Sequence, residues 1–257
     1  MADRDAIVAL LDQTLRTATI KDSSCNGLQV QGAGEVCRVA LAVDACIEAY
    51  EKAAALRCQM LIVHHGLIWD GIKHVTGRNH QHLRFLIEHD LNLYAAHLPL
   101  DMHELYGNNI ELARLLGLRD VQPFGSYHDM LIGYRGVLAE PTTASAIAAR
   151  LAAKLGGKPI VLRHGPDSVK SVGIVSGGAG DMIEQAATAK LDCYVTGEPM
   201  HFTYQLAREV CANVVYLGHY HSETLGVQAI GRLLSEQLGV ESVFLDIGAF
   251  SAADYTD

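Results

Sequence analysis

The segment RVALAVDACIEAYEKAAALRCQMLIVHHG (38–66) passes from an apolar stretch through an Ala-rich amphipathic one to a second apolar stretch. KSVGIVSGGAGDMIEQAATAKLDCYVTGE (170–198) has the same order at nearly the same length. Each continues with another amphipathic stretch and apolar run, HLRFLIEHDLNLYAAHLPLD (82–101) in the first half and FTYQLAREVCANVVYLGHYHSE (202–223) in the second. The lead-ins agree as well, a helical pattern and then a strand: 5–17 with GLQVQ, and 143–155 with PIVLR. Strands alternating with helices of this length predict parallel sheets covered by helices. The expected fold class is therefore α/β, two similar α/β domains from an internal repeat, each a mostly parallel sheet flanked by helices. Turn formers in RDVQPFGSYHDM (119–130) put the division near residue 125, giving domains 1–125 and 126–257. The last strand, SVFLDI (242–247), is free to pair with the first domain's sheet.

Histidines collect where the apolar runs stop. LIV is followed by His64 and His65, the run at 92–96 by His97 and Asp101, and the run at 214–217 by His219, His221 and Glu223. Each half thus places a His-x-x-x-acid unit just past the carboxyl end of a strand, the edge at which open α/β sheets bind ligands. Imidazole nitrogen and carboxylate oxygen without thiolate suit a first-row divalent ion. His64, His65, Asp101, His219 and Glu223 are too many for one open site. They suit two ions sharing a bridging carboxylate, in a metal site between the two domains. Taken singly, Asp101 could cap a helix at 107–116 and Glu223 could open one at 223–238. The doublet and the two spaced pairs together make coincidence the poorer account. His74, His80, His82, His89, His103, His128 and His164 are assigned to solvent or structural roles.

Two weaker features accompany the histidines. SGGAGD (176–181) lacks the Lys-Ser/Thr of a phosphate loop and the full dinucleotide fingerprint, so a tight turn is expected there. GIKHVTGRNHQH (71–82) offers Lys73 and Arg78 to an anionic ligand, although an exposed loop accounts for them equally.

A formal net charge of −9 excludes an extended surface for DNA or RNA. No apolar run approaches the ~20 residues of a membrane span, and MADRDAIVALLDQTLRTA reads as an amphipathic helix, not a leader. The six cysteines include no C-x-x-C pair, and reduced, mostly buried thiols in the cytoplasm are expected.

The motifs CNGLQVQG (25–32), LIVHHGLIW (61–69), HLPLDMHELYGNN (97–109), VTGE (195–198) and GHYHSE (218–223) resemble those of the Nif-three-like family, whose members are often labelled GTP cyclohydrolase I type 2 homologues. The likeness runs in order from about residue 20 to the end. It implies two divalent ions per subunit, with His64 and His65 on one ion each, Asp101 on one, His219 on the other and Glu223 bridging. It places His97 close by, as a ligand, an outer partner or a catalytic proton carrier. It implies a cytoplasmic homohexamer. Zinc, iron, manganese, cobalt and nickel are not distinguished by such ligands.

The activity expected is metal-dependent hydrolysis of GTP cyclohydrolase type on a small, anionic, phosphorylated purine-like substrate. Two ions carry more charge than two carboxylates cancel, which favours an anion. A phosphoesterase using the same centre and a non-catalytic metal-binding or regulatory protein are the alternatives.

Overall fold

Residues 39–43 and 60–63 are buried without a break, as strands are when helices cover both faces of a sheet. The computed structural model describes residues 1–248, and two compact units emerge from it. One comprises Met1–Leu100 and the segment that begins at Gly226; the other is Asp101–Leu225.

The first unit is built on a five-stranded sheet in the order Glu241–Phe244, Arg38–Asp44, Met60–His65, Asn92–Ala95, Gly27–Val30. The first three junctions are parallel and only the last is antiparallel. Helices Ile47–Ala55 and Gly77–Glu88 make the crossovers between its parallel strands. Helix Arg4–Leu15 begins where Asp3 accepts the Ala6 N–H at 3.1 Å. It buries Ile7, Leu11 and Leu15, one residue per turn on one stripe.

The second unit holds a six-stranded sheet in the order Arg119–Tyr127, Met130–Thr142, Val169–Ile174, Cys193–Thr196, Asn213–Tyr216, Ile160–Arg163. Its three central strands are parallel, and the flanking pairings are antiparallel. The sheet is therefore mixed where a mostly parallel one was expected. The cause is the stretch with turn formers, which is a strand and a hairpin instead of a linker. Tyr127 pairs with Met130 across His128 and Asp129, whose φ angles of 46° and 64° are both left-handed. A two-residue turn of that hand matches the twist of its strands. The units consequently divide at Asp101 and after Leu225, not at 125.

The order of elements is the same in both units: lead-in helix, lead-in strand, then strand–helix–strand–helix–strand, with the lead-in strand antiparallel at the edge beside the third. The amino ends of the sheets are also fastened alike. Asn92 opens the third parallel strand of the first unit. Its Nδ2 donates to the carbonyls of Ala33 (2.8 Å) and Gln59 (2.9 Å), and its Oδ1 accepts the Gly32 N–H (2.7 Å). Asn213 stands in the same place in the second unit. It donates to Pro166 (2.7 Å) and Asp192 (3.0 Å) and accepts from Gly165 (3.2 Å). Gln59 and Asp192, each just before a second strand, accept the N–H groups that start the first strand, those of Cys37 and Arg38 or of Lys170 and Ser171.

Cys58 and Cys193 are buried, but Cys25, Cys37 and Cys211 are exposed, so the thiols are less buried than expected. Among the described residues no helix is long and apolar enough to cross a membrane.

Candidate functional site

Strand register decides which side chains share the carboxyl edge of each sheet. In the first unit Asp44 is level with His65, and Val63 with Ala95. His64 and His65 thus stand beside Ala96 and His97, the next residues along the neighbouring strand. His64, His65 and His97 each present one nitrogen, and these nitrogens lie within 4.8 Å of one another.

Each of the three rings is held by the same atom. His64 Nδ1 donates to the Ala96 carbonyl at 2.9 Å, in full burial. His65 Nδ1 meets Asp44 Oδ1 at 2.8 Å. His97 Nδ1 meets Asp22 Oδ1 at 3.0 Å and Oδ2 at 3.1 Å. A carbonyl or carboxylate can only accept, so each Nδ1 carries a proton and Nε2 is the ring nitrogen that could bind a metal. This is how proteins fix histidines that bind metal. The loop around KDSSCNG (21–27) completes the hold on His97. Asp22 Oδ2 also accepts from Leu98 N (3.0 Å) and Asn26 Nδ2 (3.0 Å), and Asn26 Oδ1 accepts from His97 N (2.8 Å). Burial alone would raise the Asp22 pKa, but His97 and the Asn26 and Ser24 donors bring its carboxyl down to about 2.

In the second unit the register aligns Ile174 with Val195 and Thr196 with Tyr216. Ser176–Gly177, Gly197–Glu198 and Gly218–His219 therefore form its carboxyl edge. His219 lies between two acids, with Nδ1 3.2 Å from Glu198 Oε1 and Nε2 3.3 Å from Glu223 Oε1. Burial favours the neutral ring, but the carboxylates, Glu223 foremost, outweigh it and push the His219 pKa up to about 9. A cation bound at Nε2 must displace that proton, which makes binding here weaken in acid.

Asp101 and Glu223 are buried, 6 % and 2 % exposed, and their carboxylate oxygens lie within 4.8 Å of each other. Asp101 Oδ1 accepts from Asn108 Nδ2 (2.9 Å) and Ser176 Oγ (3.0 Å). Helix Asn108–Leu115 is capped by Gly107, so Asp101 is not its cap. Glu223 precedes helix Thr224–Leu238 and is not part of its first turn. Gly177, with φ of 68°, lies against Glu223: a Cβ there would overlap Oε1 and come within 3.2 Å of His219 Nε2. SGGAGD is thus a turn whose missing side chain makes room for an acid and an imidazole.

The donor chemistry fits divalent metal ions: three imidazole nitrogens in one unit, and two buried carboxylates with an imidazole in the other. His64, His65 and His97 are brought together within the first unit, and in the second Glu223 lies near both Asp101 and His219. Asp22, Asp44, Glu198 and Ser176, which orient these side chains, were not singled out from sequence. Each comes from a loop or strand end whose pattern carries no ligand signature, although VTGE stood among the recognised motifs.

A model of the family described as Duf34/NIF3 (NGG1p interacting factor 3) matches residues 2–249. The GTP cyclohydrolase 1 type 2 homolog of Pyrococcus horikoshii is 45 % identical over 245 residues, 95 % of this chain and 98 % of that protein. Its counterpart in Archaeoglobus fulgidus is 43 % identical over 241 residues, with 94 % and 96 % covered. Among solved structures, TTHA1606 from Thermus thermophilus matches with a TM-score of 0.89 at 40 % identity, covering 96 % of this chain and 99 % of that one.

Proposed function

This chain belongs to the Duf34/NIF3 family, and from that premise we propose that it is a metal-dependent hydrolase of small phosphorylated purine-like compounds. His64, His65, Asp101, His219 and Glu223 would hold two divalent ions, with Glu223 shared. The observation that carries this reading is the shared use of Nδ1. His64, His65 and His97 each commit Nδ1 to a carbonyl or carboxylate, which leaves Nε2 as the ring atom for a metal, while His219, set between Glu198 and Glu223, would give up its Nε2 proton to bind one.

When bound, divalent ions supply a water that is nucleophilic near neutral pH and neutralise charge developing on the substrate. The chain's own groups set up the rest. Asp44 fixes the plane and tautomer of His65, and Glu198 orients the ring of His219 from its Nδ1 side. His97, whose Nδ1 proton is held by Asp22, has Nε2 to accept a proton from water and return it to a leaving group. The name borne by its relatives points to a guanine nucleotide as the first compound to try. The same resemblance leads us to propose a cytoplasmic homohexamer, which sedimentation equilibrium would check.

The test is protein loaded with zinc, manganese or iron and offered GTP and a panel of phosphoesters. Turnover should appear and fall by more than about 100-fold in Asp101→Ala and Glu223→Ala. Tight metal binding with no turnover across the panel would overturn the enzymatic reading and leave a metal-binding protein.

A further inference from the structure

Trp69 is the chain's one tryptophan, and it is 37 % exposed although its surroundings hold it rigidly. Its Nε1 donates to the Gly66 carbonyl at 2.9 Å, and its backbone bridges to Ser24. Gln29 braces the approach to it, accepting the N–H groups of Leu67 (2.8 Å) and Ile68 (3.0 Å) on Oε1. The indole meets the His97 ring edge-on, with centroids 4.9 Å apart, and lies 6.3 Å from the His65 ring. It therefore borders the imidazole cluster.

Trp69 also lines a cavity of about 140 Å³ together with Leu67, Ile72, Asn79 and Leu83. An engineered apolar cavity of about 150 Å³ in another protein takes up benzene, so this one has room for a single aromatic ring. Apolar walls with a few placed polar groups are what a small-molecule site presents. The polar group here is Asn79, whose Nδ2 is tied to the His74 carbonyl at 3.1 Å, so its Oδ1 is the atom that would accept an N–H. Lys73 and Arg78 adjoin Ile72 and Asn79 in the chain and are exposed, which adds positive charge near an overall acidic protein. Ile72 and Val75, 43 % and 52 % exposed, add apolar surface to the same loop.

We propose that this cavity binds the heteroaromatic ring of the substrate, with Trp69 as the stacking wall and Asn79 reading a ring N–H, next to His65 and His97. The assignment rests on the hydrolase reading above and gives its substrate a place: the nitrogen heterocycle is held by residues of the first unit alone. A non-aromatic phosphoester would have no use for this wall.

Because Trp69 is the single tryptophan, its fluorescence reports the cavity directly. GMP titrated into the metal-loaded protein should quench it saturably, and ribose 5-phosphate should leave it unchanged. Ile72→Asp, at an exposed position, should weaken GMP binding roughly tenfold with metal content and melting temperature unaltered. By calorimetry Trp69→Ala should lose roughly tenfold and Trp69→Phe much less, as base–aromatic stacking requires. Equal quenching by ribose 5-phosphate, no response to GMP, or wild-type GMP affinity in Ile72→Asp and Trp69→Ala would each overturn the proposal. Failure of the metal reading shows separately, as low metal content by elemental analysis with GMP quenching intact.

Discussion

The two units agree at the amino ends of their sheets and differ at the carboxyl ends. At the amino ends Asn92 and Asn213 make the same three hydrogen bonds, and Gln59 and Asp192 accept the same pair of N–H groups. At the carboxyl ends the first unit offers imidazoles whose Nδ1 atoms rest on acceptors, while the second offers two buried carboxylates, Asp101 held by Asn108 and Ser176 and Glu223 beside His219. The agreement lies where the chain must start strands in register, and backbone groups there have few ways to be satisfied. The divergence lies where side chains face ligand. Similar architectures thus present nitrogen donors at one edge and, at the other, carboxylate oxygens with one imidazole.

The largest effects expected are at the shared fastening. Asn92→Ala and Asn213→Ala each remove three hydrogen bonds from a buried position, at a cost of about 2–3 kcal/mol apiece in urea unfolding. If one were near-neutral, the likeness of the amino ends would be cosmetic. Gly177→Ala comes next. The left-handed backbone alone costs about 1–2 kcal/mol, and the new methyl displaces Glu223, so metal binding should fall with stability. Wild-type metal affinity in that variant would contradict the role given to the turn.

Smaller effects separate the carboxyl edges. Asp44→Asn and Glu198→Gln should each lower metal affinity about 10–100-fold in chelator competition with little change in melting temperature. An effect in one unit only would restrict ligand orientation to that unit.

The smallest difference is in acid. Burial alone would raise the Asp192 pKa, but the N–H groups of Ser171 and Lys170 and the Ser171 hydroxyl lower it below its unfolded value. Its stabilising contribution is present above the unfolded pKa and is lost as pH falls through the folded one, below about pH 4. Gln59, its counterpart, does not titrate. Asp192→Asn should flatten the decline of unfolding free energy below that pH, and an unchanged decline would assign it elsewhere.

Much of this was legible in the sequence. Residues 39–43, 60–63 and 214–216 announce buried parallel strands because burial on both faces demands unbroken apolar runs, and the His and acid residues stand just past those runs. The 127–130 hairpin was not legible, since its left-handed turn is carried by His128 and Asp129 in place of the usual glycine or asparagine. The division near 125 followed from that misreading. Asn92 and Asn213 open equivalent apolar runs, LNL and ANV, and superimposing the two repeats would have found them. Asp22 and Asp44 leave no such trace, because a carboxylate that reaches a histidine from a distant loop or neighbouring strand has no fixed spacing in sequence.

The central claim is that the chain's clustered imidazoles and buried carboxylates hold divalent metal. X-ray absorption on zinc-reloaded protein, with elemental analysis of the same sample, tests it most directly. The account predicts two ions per chain with a first shell of nitrogen and oxygen only, reduced in His64→Ala and in Glu223→Ala alike. Well under one ion per chain after reloading, or a shell dominated by sulfur, would contradict it.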